Sequence, residues 1–300
     1  ADINKTLIST LNSGKSSIPE ILSDAQIQKP RKAGMIKFTT DTPQAVRESD
    51  AILITVPTPV YDDTKLPDLR PVESASRSIA EGMGKGKLVV LESTVYPGAT
   101  EEVVQPIIEK KTGLKVGKDY GLAYCPERYN PGDKEHTIET MQRIVGAIDS
   151  KWLDIAAEMY SKITKKGVKK VSSIKVAEAA KVIENTQRDL NIGLMNELAL
   201  IFDKIGIGTR EVIEAASTKW NFQVYWPGPG VGGHCLPVDP YYLVWKSRQL
   251  GYDPKIITAG REVNDYMAIH TVNLAERMIK TIKGKKISIL GASYKGNVGD

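Results

Sequence analysis

The chain has 300 residues, 41% apolar and 26% charged, and a formal charge of +5 from 41 basic and 36 acidic residues. That length suits about two domains with a large core. The mild positive excess, spread along the chain, fits an anionic small molecule as readily as nucleic acid and by itself selects neither. Two cysteines, Cys125 and Cys235, argue against a disulfide scaffold and suit a reducing cytoplasm. No apolar run approaches the roughly 18 residues that span a bilayer, and no signal peptide is seen, so a cytoplasmic protein without a membrane partner is expected.

The pattern then alternates. Ala1-Asp2-Ile3-Asn4 reads as the end of a strand whose beginning is missing, and the chain is expected to be a portion of a longer protein. Strand-like runs follow at 51–56 and 87–91, with shorter ones at 122–124 and 144–146, and helical patterns at 72–83 and 95–111 lie between them. This β–α alternation predicts a Rossmann-like, doubly wound parallel sheet that binds ligands beyond the carboxyl ends of its strands. From Ser172-Ser173, a cap pair, the pattern becomes all α: a long helix from about Lys175 to Ile205 stopped by Gly206, then helices over 209–217, 241–250 and 256–282. A new strand and turn open at Lys286. The expected domains are therefore 1–171, 172–283 and the beginning of another α/β domain at 284–300.

Strand ends carry the first candidate residues. Val56-Pro57-Thr58-Pro59 and Glu92-Ser93-Thr94-Val95 each leave a threonine hydroxyl at the carboxyl edge, as turn punctuation or as part of a ligand site. Asp2 matches the carboxylate that grips a ribose hydroxyl in dinucleotide folds, and an acid there favours NAD over NADP. In Cys125-Pro126-Glu127-Arg128-Tyr129, Glu127 suits a general acid/base or water-orienting role and Arg128 a phosphate or carboxylate. The alternative is a surface pair in a turn. Cys125 reads as a small core hydrophobe.

On the long helix, Lys181, Asn185 and Arg188 are spaced i, i+4, i+7 and share one face, while Ile183, Leu190, Leu194 and Leu198 define a separate apolar face. The polar stripe is ordinary solvated surface unless a nucleophile loop lies across it. In that case Lys181 becomes a proton carrier or oxyanion stabiliser and Asn185 a donor to developing negative charge. Such a loop exists: Gly228-Pro229-Gly230-Val231-Gly232-Gly233-His234-Cys235-Leu236-Pro237-Val238-Asp239-Pro240 presents a cysteine at the end of a glycine-dense segment, four residues before an aspartate. His234 adjoins Cys235 and is a poor candidate for its base, since adjacent side chains rarely point the same way. The three histidines are scattered and no metal site is expected.

Taken in order, the Val-Pro-Thr-Pro, Glu-Ser-Thr-Val, Cys-Pro-Glu-Arg, Ala177–Asn185, Asn196-Glu197-Leu198 and glycine–cysteine segments, with Gly291-Ala-Ser-Tyr-Lys295, resemble the UDP-glucose/GDP-mannose dehydrogenase family over essentially the whole chain. The resemblance implies two Rossmann-like domains, the second binding UDP, joined by a long central helix that also forms a homodimer interface. It also implies four-electron oxidation of a UDP-sugar C6 alcohol to a uronate with two NAD⁺, through a thiohemiacetal and a thioester on Cys235. Lys181, Asn185 and Asp239 would manage the proton and the oxyanion, and Glu127 or Thr94 would aid hydrolysis. Arg128, Tyr129, Arg188, Lys219, Gly232, Tyr294 and Lys295 would contact substrate, and Asp2, Thr58 and Thr94 would contact NAD. The Gly-Gly-His-Cys form and Arg188-Asp-Leu-Asn-Ile192 look like the branch acting on UDP-N-acetylhexosamines, with N-acetyl-D-mannosamine favoured. Lys219-Trp220-Asn221 departs from the His-Pro-Arg often found in that subgroup, which leaves N-acetylglucosamine as the nearest rival. A two-electron hydroxyacid dehydrogenase and a non-catalytic nucleotide-binding protein remain as further readings. No nucleic-acid partner is implied.

Overall fold

A computed structural model describes residues 1–19, 22–129, 133 and 135–291. They divide into two units. One holds Ala1–Thr58 and Asp68–Lys181; the other holds Pro59–Pro67 and the described residues from Val182 onward.

The first unit is built on a sheet of order β1-β2-β3-β4-β5, with β1 at Ala51–Ile54, β2 at Leu88–Leu91, β3 at Gly121–Tyr124, β4 at Arg143–Ala147 and β5 at Val168–Lys170. β2 and β3 are buried at every residue, as strands covered on both faces must be, and β1 alternates as an edge strand does. Helices α1 (Lys5–Asn12), α2 (Asp24–Lys32) and α3 (Thr42–Arg47) precede β1. Residues 1–4 form no strand; Asp2 is exposed and its carboxylate accepts the Asn4 N–H. After β1, α4 (Arg70–Gly82) carries Pro71 in its first turn, where the missing N–H costs nothing, and buries Val72, Ser76, Ile79 and Ala80 along one face. Gly82 lets α4 meet α3 closely, since a Cβ there would sit 2.2 Å from the Pro43 carbonyl.

The helix expected over 95–111 is shorter and begins differently. A π-turn at Thr100–Val104 leads into α5 (Gln105–Thr112). Pro106 has no N–H to give Glu102, so the ladder widens and Gln105 bonds back to Thr100 instead. α6 (Ser150–Ser161), capped by Asp149, covers β3 and β4 through Trp152, Ala156 and Tyr160, in one cluster with Val90, Ala123 and Cys125.

The sheet is mixed rather than wholly parallel. β1, β2 and β3 run parallel, β4 runs antiparallel to β3, and β5 is parallel to β4. Among the described residues between β3 and β4 there is no helix, and a strand reached without a crossover helix returns antiparallel.

α7 (Ile174–Ile205) runs from the first unit into the second, opened by Ser173, whose Oγ accepts the Val176 N–H, and closed by Gly206 at φ 81°. The second unit adds α8 (Thr209–Ala216), α9 (Asp239–Gln249) and α10 (Lys255–Ile279). α7 and α10 cross closely: a Cβ on Gly193 would lie 3.1 Å from the Gly260 carbonyl, and one on Gly260 would lie 2.4 Å from Leu190. Residues 286–291 form no strand, because a strand needs a partner for its ladder and no described residue pairs with them. Among the described residues, no helix is long and apolar enough to cross a membrane.

Candidate functional site

In the first unit, Ile54, Leu91 and Tyr124 are in register across β1, β2 and β3, so the loops bearing Thr58, Thr94 and Glu127 leave from one sheet edge. Ser93 ties two of these loops together, its Oγ donating to the Val56 carbonyl at 2.6 Å. Thr58 and Thr94 are half-buried beside that tie. Hydroxyls on a shared carboxyl edge are a donor set that suits a dinucleotide's ribose and amide groups.

Glu127 is held from three directions. Its Oε1 accepts the N–H groups of Arg128 and Tyr129, and its Oε2 pairs with Arg143 at 2.8 Å. Burial opposes its ionisation, but the Arg143 charge and these N–H groups outweigh that and hold the carboxyl below its ordinary value. A carboxylate kept charged can orient water or accept a proton; it is poorly suited to donate one. Arg128 donates from Nη1 to the Gln142 carbonyl, and Tyr129 is half-buried.

Arg143 arrives here because β4 is antiparallel. Tyr124 pairs with Gly146, so the first residue of β4 reaches beyond the carboxyl end of β3. Its guanidinium is buried and also lies 3.4 Å from Glu92, 3.4 Å from the Cys125 sulfur and 5.1 Å over the Tyr160 ring. Tyr160 donates to Glu92. Burial raises the Glu92 carboxyl, and it pushes the Cys125 thiol up to about 11. Cys125 is therefore a neutral core thiol.

α7 supplies the next residues. Its inward face is polar: Glu178, Lys181, Asn185, Asp189 and Asn196 are all buried. Glu178 accepts the N–H of Gly98, the N–H of Thr100 and the Thr100 hydroxyl, which clamps the loop after Thr94 to the helix one turn before Lys181. Lys181 is the last described residue of the first unit. Arg188, in the same stripe by spacing, is exposed.

In the second unit, Asn185 Nδ2 donates to Asp239 Oδ2 at 2.5 Å, and both side chains are buried. Asp239 opens α9, and its N–H and that of Val238 bond back to the Cys235 carbonyl at 2.8 and 3.0 Å. That turn leaves Cys235 exposed immediately ahead of the helix. His234, Gly232 and Lys219 are exposed as well. The structure thus joins Asn185 to the Cys235–Asp239 turn and gathers Thr58, Thr94, Glu127, Arg128 and Tyr129 on one edge. It leaves Asp2, Arg188 and Lys219 at the surface. Tyr294 and Lys295 lie outside the described residues.

Sequence reasoning assigned no role to Arg143, Glu178 or Asn196. Arg143 starts an apolar strand as an isolated basic residue, a signal of a buried partner; Glu178 and Asn196 lie on the stripe that passes through Lys181 and Asn185.

Profiles of known families match most of the chain. That of the UDP-glucose/GDP-mannose dehydrogenase family, NAD binding domain, covers residues 1–164, and that of the same family's central domain covers 175–266. The chain is 46% identical over 303 residues to a Pseudomonas aeruginosa UDP-N-acetyl-D-glucosamine 6-dehydrogenase, covering all of this chain and 70% of that protein. It is 36% identical over 305 residues to a Campylobacter jejuni UDP-N-acetyl-D-mannosamine dehydrogenase, covering all of this chain and 73% of that one. A solved UDP-D-ManNAc dehydrogenase from Pyrococcus horikoshii superposes with a TM-score of 0.85 at 35% identity, over 93% of this chain and 65% of that chain. The chain belongs to the UDP-glucose/GDP-mannose dehydrogenase family, and is an NAD-binding nucleotide-sugar oxidoreductase.

Proposed function

We propose that the chain carries the catalytic centre of a UDP-N-acetylhexosamine 6-dehydrogenase, which converts the C6 alcohol to a uronate. The observation that carries this reading is the exposed Cys235, presented by the turn whose Asp239 is bonded to Asn185. Bound NAD⁺ supplies the hydride acceptor, once for each of two oxidations. Lys181 takes up the alcohol proton and Asn185 donates an N–H to the oxygen as the aldehyde forms. The Cys235 thiol then adds to the aldehyde carbon: the S–C bond forms and the thiol proton passes to the oxygen. After the second hydride leaves, water cleaves the C–S bond of the thioester, which restores the thiol and releases the carboxylate. Glu127, held ionised, orients that water. The half-buried threonines Thr58 and Thr94 support a role in holding the cofactor, and Arg128 and Tyr129 one in binding the substrate.

The sugar is one of two C2 epimers. Arg188-Asp-Leu-Asn-Ile192 speaks for the mannosamine form. The higher identity to the relative bearing the glucosamine name, 46% against 36%, supports the glucosamine form. Cys125 and Cys235, neither in a disulfide among the described residues, support a reducing compartment. The outer face of α7 supports a homodimer: Ile183, Leu194, Ile201 and Ile205 are 55%, 51%, 43% and 62% exposed along one stripe.

The test is an NADH assay over UDP-N-acetylglucosamine, UDP-N-acetylmannosamine, UDP-glucose and a 2-hydroxy acid, with uronate measured by mass. Two NADH per uronate is expected, with Cys235→Ala making no acid. One NADH per substrate, or full uronate yield from the variant, would reject covalent capture. Tight nucleotide-sugar binding without any NADH would favour the non-catalytic reading.

A further inference from the structure

The glycine-rich loop is fastened at both ends to one helix, and only its downstream fastening, Asn185 to Asp239, involves a residue assigned to the chemistry above. At the upstream end, the Gly228 N–H donates to Asn196 Oδ1 at 2.9 Å. Asn196 is fully buried, and its Nδ2 donates to Asn264 Oδ1 at 2.8 Å. Asn264, 1% exposed, donates in turn to the Asp189 carbonyl at 3.0 Å and to its Oδ1 at 2.9 Å. Asp189 Oδ1 also accepts from Arg261 at 2.6 Å.

The direction of every amide in this relay is determined. A backbone N–H can only donate and the Asp189 backbone carbonyl can only accept, so Asn196 and Asn264 each have one arrangement that satisfies both neighbours. Asn185 and Asn196 are eleven residues apart on α7, about three turns, and so face the same way. The loop also runs close to α10: Gly230 has φ 134°, and a Cβ on it would lie 3.4 Å from the Asn264 carbonyl. We propose that Asn196 is a positioning residue for Cys235, the upstream anchor that, with Asn185–Asp239 downstream, suspends the nucleophile loop from α7. The inference rests on the reading of Cys235 as nucleophile. Loosening that anchor leaves the thiol exposed and the sugar site intact, but the sulfur out of line with the aldehyde carbon.

The test compares Asn196→Ala with Gly228→Pro. The first removes the acceptor. The second removes the donated N–H, with the φ restriction that a proline brings, and leaves the Asn196–Asn264 bond in place. Gly228→Ala keeps the N–H and adds a Cβ 3.8 Å from the Gly230 carbonyl, an ordinary contact, so it serves as the steric control. Two quantities are read: the rate of Cys235 alkylation by iodoacetamide, located by peptide mass, and the ratio of NADH to uronate with free aldehyde trapped. Both anchor variants are expected to change the alkylation rate by about tenfold and to lower uronate kcat roughly a hundredfold at little-changed KM. Their NADH-to-uronate ratio should rise as aldehyde escapes, which a residue serving only to join α7 and α10 would not cause. A Gly228→Pro protein with the parent's alkylation rate and two NADH per uronate overturns the proposal, whether or not Asn196→Ala folds. If the parent makes no NADH from any nucleotide sugar, the functional reading fails, and the alkylation rates still decide the anchor.

Discussion

Asn185 and Asp239 are 54 residues apart in sequence, yet their side chains meet at 2.5 Å in a buried contact between α7 and the first turn of α9. The contact couples the helix stripe to the loop that presents Cys235. Asn185→Ala takes a donor from a buried carboxylate, which costs about 1–3 kcal/mol in stability. Uronate formation should fall more steeply than that loss explains. Denaturant unfolding and steady-state kinetics on the same preparation separate the two effects.

Arg143 is the shared partner of Glu92, Glu127 and Cys125. Arg143→Gln strands two carboxylates around a buried position, with a cost of about 3–5 kcal/mol. Arg143→Lys keeps the charge but cannot fork to both carboxylates. We expect it to fold with reduced kcat and an acid limb of the pH–rate profile moved upward, because Glu127 loses part of what holds its carboxyl low. An unmoved acid limb would show that Arg143 does not tune Glu127.

Glu178 is buried, and burial raises its carboxyl to about 7 from an ordinary 4.5, against three hydrogen bonds that favour the charge. Between those values the folded protein keeps a proton that the unfolded chain has released. This group's contribution therefore falls as pH rises from 4.5 to 7, by up to about 1.4 kcal/mol per pH unit, and is level above that window. Glu178→Gln should flatten the slope, because an amide does not titrate in this range. Urea unfolding at pH 5, 6, 7 and 8 measures this, and an identical slope in both proteins would remove Glu178 as its source.

If the apolar stripe on α7 seats a second copy, Leu194→Glu with Ile201→Glu places charges in a dry contact. Sedimentation should then report monomer where the parent is a dimer. A parent that sediments as monomer, or a variant that stays dimeric, argues that the stripe serves another purpose.

The two faces of α7 show where sequence reasoning stops. Spacing separated a polar stripe containing Lys181 and Asn185 from an apolar one containing Ile183 and Leu194, and the helix limits were near those of the structure. Which face is covered did not follow. The face carrying Glu178, Lys181, Asn185, Asp189 and Asn196 is the buried one, because Glu178, Asn185 and Asn196 find hydrogen-bond partners 32 to 80 residues away, while Ile183 and Leu194 of the apolar stripe are exposed. β5 is illegible in the sequence for a similar reason: Val168–Lys170 is a charged, largely exposed edge with little apolar pattern.

What the sequence by itself determined is local: a glycine-dense loop ending in a cysteine, threonines at strand ends, and a long helix capped by Ser173 and stopped by Gly206. Those features depend on residues close along the chain, whose backbone preferences do not require distant partners. Only the tertiary structure decided the direction of β4, and with it the arrival of Arg143 beside Glu127. Only it decided that α7 buries its polar face and carries both ends of the Cys235 loop. Strand direction and buried hydrogen bonds are settled by partners remote in sequence, and a periodicity within one segment carries no information about them.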